Sequence, residues 1–264
     1  MPILKTEAIV LRVIDYSETS LVAWSLTREH GRLHVIAKGA RRPRSPFEGA
    51  LEPLVRGELV FYRKKKASDA LEIAKEFDPI DRHSGLRSDL ARVHRGLYLA
   101  ELALELSERE DPAPEAFDAL ARGLHDLASG PTSALDAALV AAELGLLAAA
   151  GLSPLLEGCA RCTAGAANVS GVVFSAAAGG LLCDRHAQGD PAARPVSAGT
   201  LKSLAALQQG TAVALRDGVQ RDLRALLDAF VRHHLGKSLR LSRYLGAQRP
   251  VRHRPRRSPR GAHA

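Results

Sequence analysis

Near His83 the spacing of hydrophobic residues changes, and that change constrains the fold of this 264-residue chain more than any other feature. Before it the apolar residues recur every second position, the period of a half-buried strand. Segments 6–14, 20–27 and 32–37 read as strands. Val22, Trp24 and Leu26 share one face, Leu33, Val35 and Ala37 another, with a turn at His30-Gly31 between them. Two more strand-like runs follow at 58–63 and 70–77. Five short strands joined by turns suit a small closed barrel, because closure removes exposed edges. After His83 the apolar residues fall three or four apart, the period of an amphipathic helix. Ser88 is placed to cap a helix carrying Leu90, Val93, Leu97, Ala100 and Leu104. Further helices are expected over 115–127, 133–150 (closed by Gly151), 197–208 and 219–245. The fold class is therefore multidomain α+β. Residues 1–80 form the barrel domain, 81–154 and 195–246 an all-α domain, and 155–194 an insert within it. Residues 247–264 carry no apolar cluster, and an Arg-rich, disordered tail is expected there.

The insert holds every cysteine in the chain. Cys159 and Cys162 are separated by two residues, and Cys183 and His186 by two more after an interval of 20. Two residues between donors let one tight turn aim both side chains at one ion, and two such turns facing each other make a tetrahedral site. Val172, Val173 and Phe174 supply one strand, and Gly180, Leu181 and Leu182 the returning one, after a turn ending in Gly179. This is a zinc-ribbon-like pattern, and the thiolate and imidazole donors select Zn²⁺. Four ligands leave no open position, so the ion is structural. A thiol redox pair at Cys159 and Cys162, and an insert without metal, are the alternatives.

Charge is concentrated rather than spread. The net charge is +8, yet residues 38–66 hold nine basic side chains against three acidic ones, and 249–264 hold six arginines and no acid. Each zone carries +6, which leaves the rest of the chain net negative by four. Two basic zones on a mildly acidic body point to a polyanionic partner. The start of the chain lacks the basic flank and apolar core of a secretory signal, and no run of about 18 apolar residues is uninterrupted, so a reducing cytoplasm and no membrane span are expected. Catalytic constellations are not found. Gly236-Lys237-Ser238 resembles the end of a phosphate-binding loop, but Val231 stands where its first glycine is needed. No enzyme is expected. The rivals are a scaffold for acidic protein partners and a metal-dependent enzyme with an open metal position.

Residues 8–20 (AIVLRVIDYSETS), 26–32 (LTREHGR), 37–45 (AKGARRPRS) and 49–53 (GALEP) together resemble the opening of the RecO family of bacterial DNA repair proteins. Residues 86–90 (LRSDL), the cysteine insert and residues 230–239 are similar to that family as well. The resemblance implies that the barrel is an OB-fold, that the insert binds zinc, and that the protein is a non-catalytic recombination mediator, nucleoid-associated in the cytoplasm. It implies binding to single- and double-stranded DNA, annealing of complementary strands, and cooperation with RecR and the C-terminal tail of single-stranded DNA-binding protein in loading RecA onto gaps. His186 stands where the family carries a fourth cysteine, and the Arg-rich tail departs from the family pattern.

On this reading Lys38, Arg41, Arg42 and Arg44 lie on one loop beside Lys64, Lys65 and Lys66 at a strand end, and together form a groove that tracks phosphates. Aromatic residues are 4% of the chain. Near the basic zone Phe47, Phe61 and Tyr62 are the ones at hand, so base stacking is expected to contribute little beside backbone electrostatics. A grip on phosphates leaves base edges free to find complements. The tail offers a second, tethered contact.

Overall fold

The computed structural model describes residues 1–47, 49–63, 71–162 and 173–245. Lys64, Lys65, Lys66, Val172 and the arginines of the tail lie outside the described residues. Five strands, β1 (Ile3–Asp15), β2 (Leu21–Thr27), β3 (Gly31–Ala37), β4 (Arg56–Tyr62) and β5 (Glu72–Asp81), close into a barrel in the order β1-β2-β3-β5-β4. The 13-residue β1 makes closure possible. Its first half pairs with β4 (Ile3↔Tyr62 to Ile9↔Arg56) and its second half with β2 (Ala8↔Thr27 to Asp15↔Leu21). The parallel contact of β3 with β5, Val35↔Glu72 and Ile36↔Ile73, completes the ring. Alternation then does what a half-buried strand requires. Ala8, Val10, Ala23, Leu33, Val35, Leu59, Phe61, Ala74 and Phe77 fill the interior. At Gly31 the chain turns with φ +62, and a Cβ there would lie 2.2 Å from the carbonyl oxygen of Asp111, so only glycine fits.

The register of β1 against β2 shifts between Val10 and Arg12. This bulge places one extra residue on the strand, so that two successive side chains leave the barrel on its outside. Val10 belongs to the barrel interior, Leu11 to the helical core, and Arg12 pairs with Trp24.

The helical part comprises α1 (Leu90–Leu106), α2 (Pro114–Ser129), α3 (Leu135–Ala149), the short α4 (Asp184–Ala187), α5 (Ala198–Gln208) and α6 (Asp217–Leu235). Most helix boundaries fall within two residues of expectation, and two differences have a clear local cause. Asp89, not Ser88, caps α1, its carboxylate accepting the Ala91 N–H at 3.0 Å. The final helix stops at Leu235 rather than continuing to 245, because Gly236 adopts a left-handed conformation (φ 68) that ends it. Leu239 and Leu245 still reach the core from the turns that follow, which is why the apolar spacing reads as one longer helix. Gly236-Lys237-Ser238 thus lies at the C-terminal end of a helix, where no phosphate cradle forms.

Barrel and helices share a core. Ile9, Leu11, Leu26 and Leu54 pack with Leu99, Leu102, Phe117 and Leu120. Arg28 pairs with Asp118, and Arg56 with Glu7 at 2.9 Å. Both guanidinium groups lie within 6 Å of the Phe117 ring, at 5.8 and 5.9 Å. The stretch 132–149 is the one helical segment among the described residues apolar and long enough to cross a bilayer, but half of it is buried inside the molecule. It carries Glu143, fully buried, which accepts from Tyr98 Oη (2.6 Å) and from both terminal nitrogens of Arg224 (2.7 and 2.8 Å). This triad holds Arg224 firmly charged and keeps the Tyr98 phenol protonated far above its usual range, first through burial and then through the Glu143 carboxylate.

An unpaired buried charge costs more than a buried pair contributes. Glu143→Ala is therefore expected to lower stability by about 3–5 kcal/mol in urea unfolding. Replacing the whole triad (Tyr98→Phe, Glu143→Met, Arg224→Met) is expected to cost far less, and an equal loss in both variants would contradict the account.

Candidate nucleic-acid interface and metal centre

The connection from β3 to β4, residues 38–55, is held down by its own apolar residues. Ala40, Phe47, Ala50, Leu51 and Val55 are all buried and join the barrel core. Five strands enclose little volume, and this segment plugs the open end. Turn hydrogen bonds from Arg42 N–H to Gly39 and from Ser45 N–H to Arg42 shape it, and the Arg41 N–H donates to Thr19 in the β1–β2 turn. With the apolar residues pointing in, Lys38, Arg41, Arg42 and Arg44 all point out and are exposed. They share one loop. Arg41 also pairs with Asp15, so part of its charge is offset.

Lys64, Lys65 and Lys66 are outside the described residues, but the strand ends that carry their segment are described. Tyr62, near the end of β4, pairs with Ile73, and Ile73 pairs with Ile36, one residue before β3 ends. The described residues Tyr62 and Ile73 thus lie beside the strand from which Lys38 departs. Arg63 is spent internally, on Glu110 (3.2 Å) and Glu72 (3.8 Å).

The aromatic inventory changes. Phe47 and Phe61 are 4% and 0% exposed and belong to the barrel core, so neither is available for stacking. Tyr62 is half-buried. Two aromatics not counted among the stacking candidates are Tyr16, 62% exposed in the β1–β2 turn, and Trp24 on the barrel's outer face. Trp24 stacks on His34 of the next strand, with ring centres 4.4 Å apart and planes 14° from parallel. Both are far from the basic loop in sequence and reach its neighbourhood only through strand register. Burial, followed by the nearby guanidinium groups of Arg109 and Arg32, pushes His34 down to about 4.

The insert forms a three-stranded sheet, β7-β6-β8, from β6 (Val173–Ser175), β7 (Gly180–Leu182) and β8 (Ala193–Pro195). The third strand was not foreseen. Asp190 fastens it: the carboxylate accepts from Ser175 Oγ (2.8 Å) and the Ala192 N–H (2.8 Å) and pairs with Arg161 (3.2 Å). Phe174 and Leu181 leave the insert to pack into the helical core, with Phe174 6.0 Å from Phe230. The insert is therefore more than a self-contained clip.

Cys159, Cys162, Cys183 and His186 converge, with all four donor atoms within 4.8 Å of one another. Cys162 Sγ lies 3.9 Å from Cys183 Sγ, and His186 Nδ1 lies 3.5 Å from Cys159 Sγ and 3.2 Å from Cys183 Sγ. A tetrahedral ion with metal–sulfur bonds near 2.3 Å and a metal–nitrogen bond near 2.0 Å sets edges of roughly 3.5–3.8 Å. The cluster fits such an ion. Burial pushes the Cys159 thiol up, but the backbone N–H groups of Cys183 and Arg161 and the neighbouring thiols outweigh it and bring it to about 6, which favours the thiolate a metal needs.

Comparison with known proteins agrees with this architecture. The family models Recombination protein O N terminal and Recombination protein O C terminal match residues 1–79 and 87–243. DNA repair protein RecO of Anaeromyxobacter sp. (strain K) is 41% identical over 255 residues, covering 94% of this chain and 97% of that protein. The RecO proteins of Myxococcus xanthus and Exiguobacterium sibiricum are 35% and 34% identical, covering 89% and 91% of this chain and 93% and 95% of theirs.

The depressed His34 makes a sign-definite prediction. Below 6.5 the unfolded chain takes up a proton that the folded chain refuses until about pH 4, so this contribution to stability is lost as pH falls through that window. Urea unfolding at pH 7.5 and 4.5 is expected to show a smaller acid loss for His34→Gln than for the parent chain.

Proposed function

The chain belongs to the RecO family of DNA repair proteins, and from that premise we propose that it is a recombination mediator that binds DNA through phosphates and makes or breaks no covalent bond. The observation that carries the reading is the plugged loop, which turns its apolar residues into the barrel and leaves Lys38, Arg41, Arg42 and Arg44 together in solvent. The strand order of the closed barrel, with a parallel β3–β5 contact, supports assignment as an OB-fold. Lys64, Lys65 and Lys66 extend the grip from the neighbouring strand connection, and the arginines of residues 249–264 add a tethered second contact.

Binding of this kind reads charge spacing rather than base edges. Two single strands held by their phosphates keep their Watson–Crick edges free, which is what annealing requires. In the mediator role the chain acts with RecR and with the acidic tail of single-stranded DNA-binding protein to give RecA access to gaps. The Cys159, Cys162, Cys183 and His186 site holds one structural Zn²⁺ that fixes the insert against the helical core.

If about six phosphates of a single strand are neutralised, log K against log salt is expected to fall with a slope of roughly −4. Reversing Arg41, Arg42 and Arg44 to Glu is expected to weaken binding to all sequences alike and to slow annealing of complementary oligonucleotides. A slope near −1, a loss confined to one sequence, or equal competition by polyglutamate would favour a scaffold for acidic proteins instead. For the metal, one zinc per chain is expected, with Cys159 and Cys183 becoming open to alkylation only after chelation. Thiols that alkylate equally before and after chelation would count against a closed site.

A further inference from the structure

The outer face of β2 and β3 is neither core nor ordinary solvated surface. Leu26, on that face, is buried under the helices, whereas Trp24, two residues earlier on the same face, belongs to neither hydrophobic core and is half-buried. β2 runs between β1 and β3, and both neighbours bring a planar group to the indole. His34 from β3 stacks on it at 4.4 Å, and the guanidinium of Arg12 from β1 lies 5.2 Å from its centre. Arg12 is exposed and is aimed there by the β1 bulge. The imidazole is held neutral, and its Nε2 is buried without a hydrogen-bond partner. Toward the strand ends the outer face continues through Val22 and Ile36, which pair with each other and are buried, and one residue further on, at the inward-facing pair Leu21 and Ala37, the strands end and the cationic loop begins. Three residues of strand separate Trp24 from that loop, about 10 Å.

We infer that the stacked Trp24–His34 pair is a platform for one unpaired nucleobase, with Arg12 as the arm that leaves the indole and takes the adjoining phosphate. The occupant follows from chemistry. The pair lies amid cations, namely Arg12, Arg32 (with Glu105 and Glu108 nearby) and Arg109 around it and Lys38, Arg41 and Arg42 on the loop that follows β3, and an unpaired strand is the polyanion whose repeating unit also has a π-face. A duplex keeps its bases stacked and offers none to the platform, so this subsite favours single strands over double. The inference rests on the phosphate-binding reading and deepens it, since stacking now contributes alongside charge.

Trp24 is the only tryptophan in the chain, so emission from the full-length protein reports this site alone. Oligothymidine and an abasic sugar-phosphate oligomer of equal length are to be titrated at fixed salt, with binding followed independently by anisotropy of a labelled competitor. Oligothymidine is expected to quench Trp24 in step with binding. The abasic chain is expected to bind about tenfold more weakly and without quenching. Trp24→Ala should bring oligothymidine down to the abasic affinity with the salt slope unchanged, and Trp24→Phe should restore most of the difference. If both oligomers bind equally and emission does not change, the platform is overturned while the phosphate grip stands. If neither binds, both readings fall together. Quenching by a sulfated polysaccharide as strong as by oligothymidine would also overturn the platform, since that chain has no base. The wild-type titration needs no variant, so a folding defect in Trp24→Ala leaves the test intact.

Discussion

A five-stranded barrel this small cannot seal itself with strand side chains alone, and the rest of the molecule's surface chemistry depends on how the opening is closed. Phe47, Leu51, Ala50 and Ala40 close it from the β3–β4 connection. Burying those side chains fixes a loop that would otherwise sample many conformations, so the hydrophobic effect, with the Arg41–Asp15 pair beside it, pre-arranges the exposed cations. Like charges crowded on one loop repel one another. The apolar anchors that hold them together therefore also bear the cost of keeping them together.

The helical part supplies a second fixed frame. It meets the barrel through Ile9, Leu11, Leu26 and Leu54, with Arg28 and Arg56 around Phe117 at the margin. Its own interior is tied by the Tyr98–Glu143–Arg224 triad, which links α1, α3 and α6. The insert joins the same core through Phe174 and Leu181. Of the candidate donors, Cys183 follows β7 directly, His186 lies on α4, and Cys159 and Cys162 lie on an irregular turn earlier in the chain.

Much of this was readable in the order of residues. The change from period two to a helical period separates the barrel from the helices, and strong alternation located all five strands to within a few residues. The two-residue spacings of Cys159–Cys162 and Cys183–His186 likewise announced a cluster. Errors arose where distant contacts override local pattern. Leu239 and Leu245 continue an apolar rhythm past Gly236 because turns, not helix, carry them back to the core. Ser88 and Asp89 are both good caps, and only backbone geometry selects between them. Phe47 sits in a Pro-rich, basic stretch that reads as surface, yet it fills the barrel mouth. Trp24, His34 and Arg12 come from three strands, and no linear scan near the lysines and arginines would assemble them.

The bulge in β1 sends Leu11 to the helices and Arg12 to the indole, so neighbouring residues serve opposite clients. Excising Leu11 would restore plain alternation and merely deprive the helices of one contact. Excising a residue elsewhere along β1 would swap inward and outward side chains for everything on one side of the cut. Outside the bulge, then, this strand tolerates a change of residue far better than a change of length.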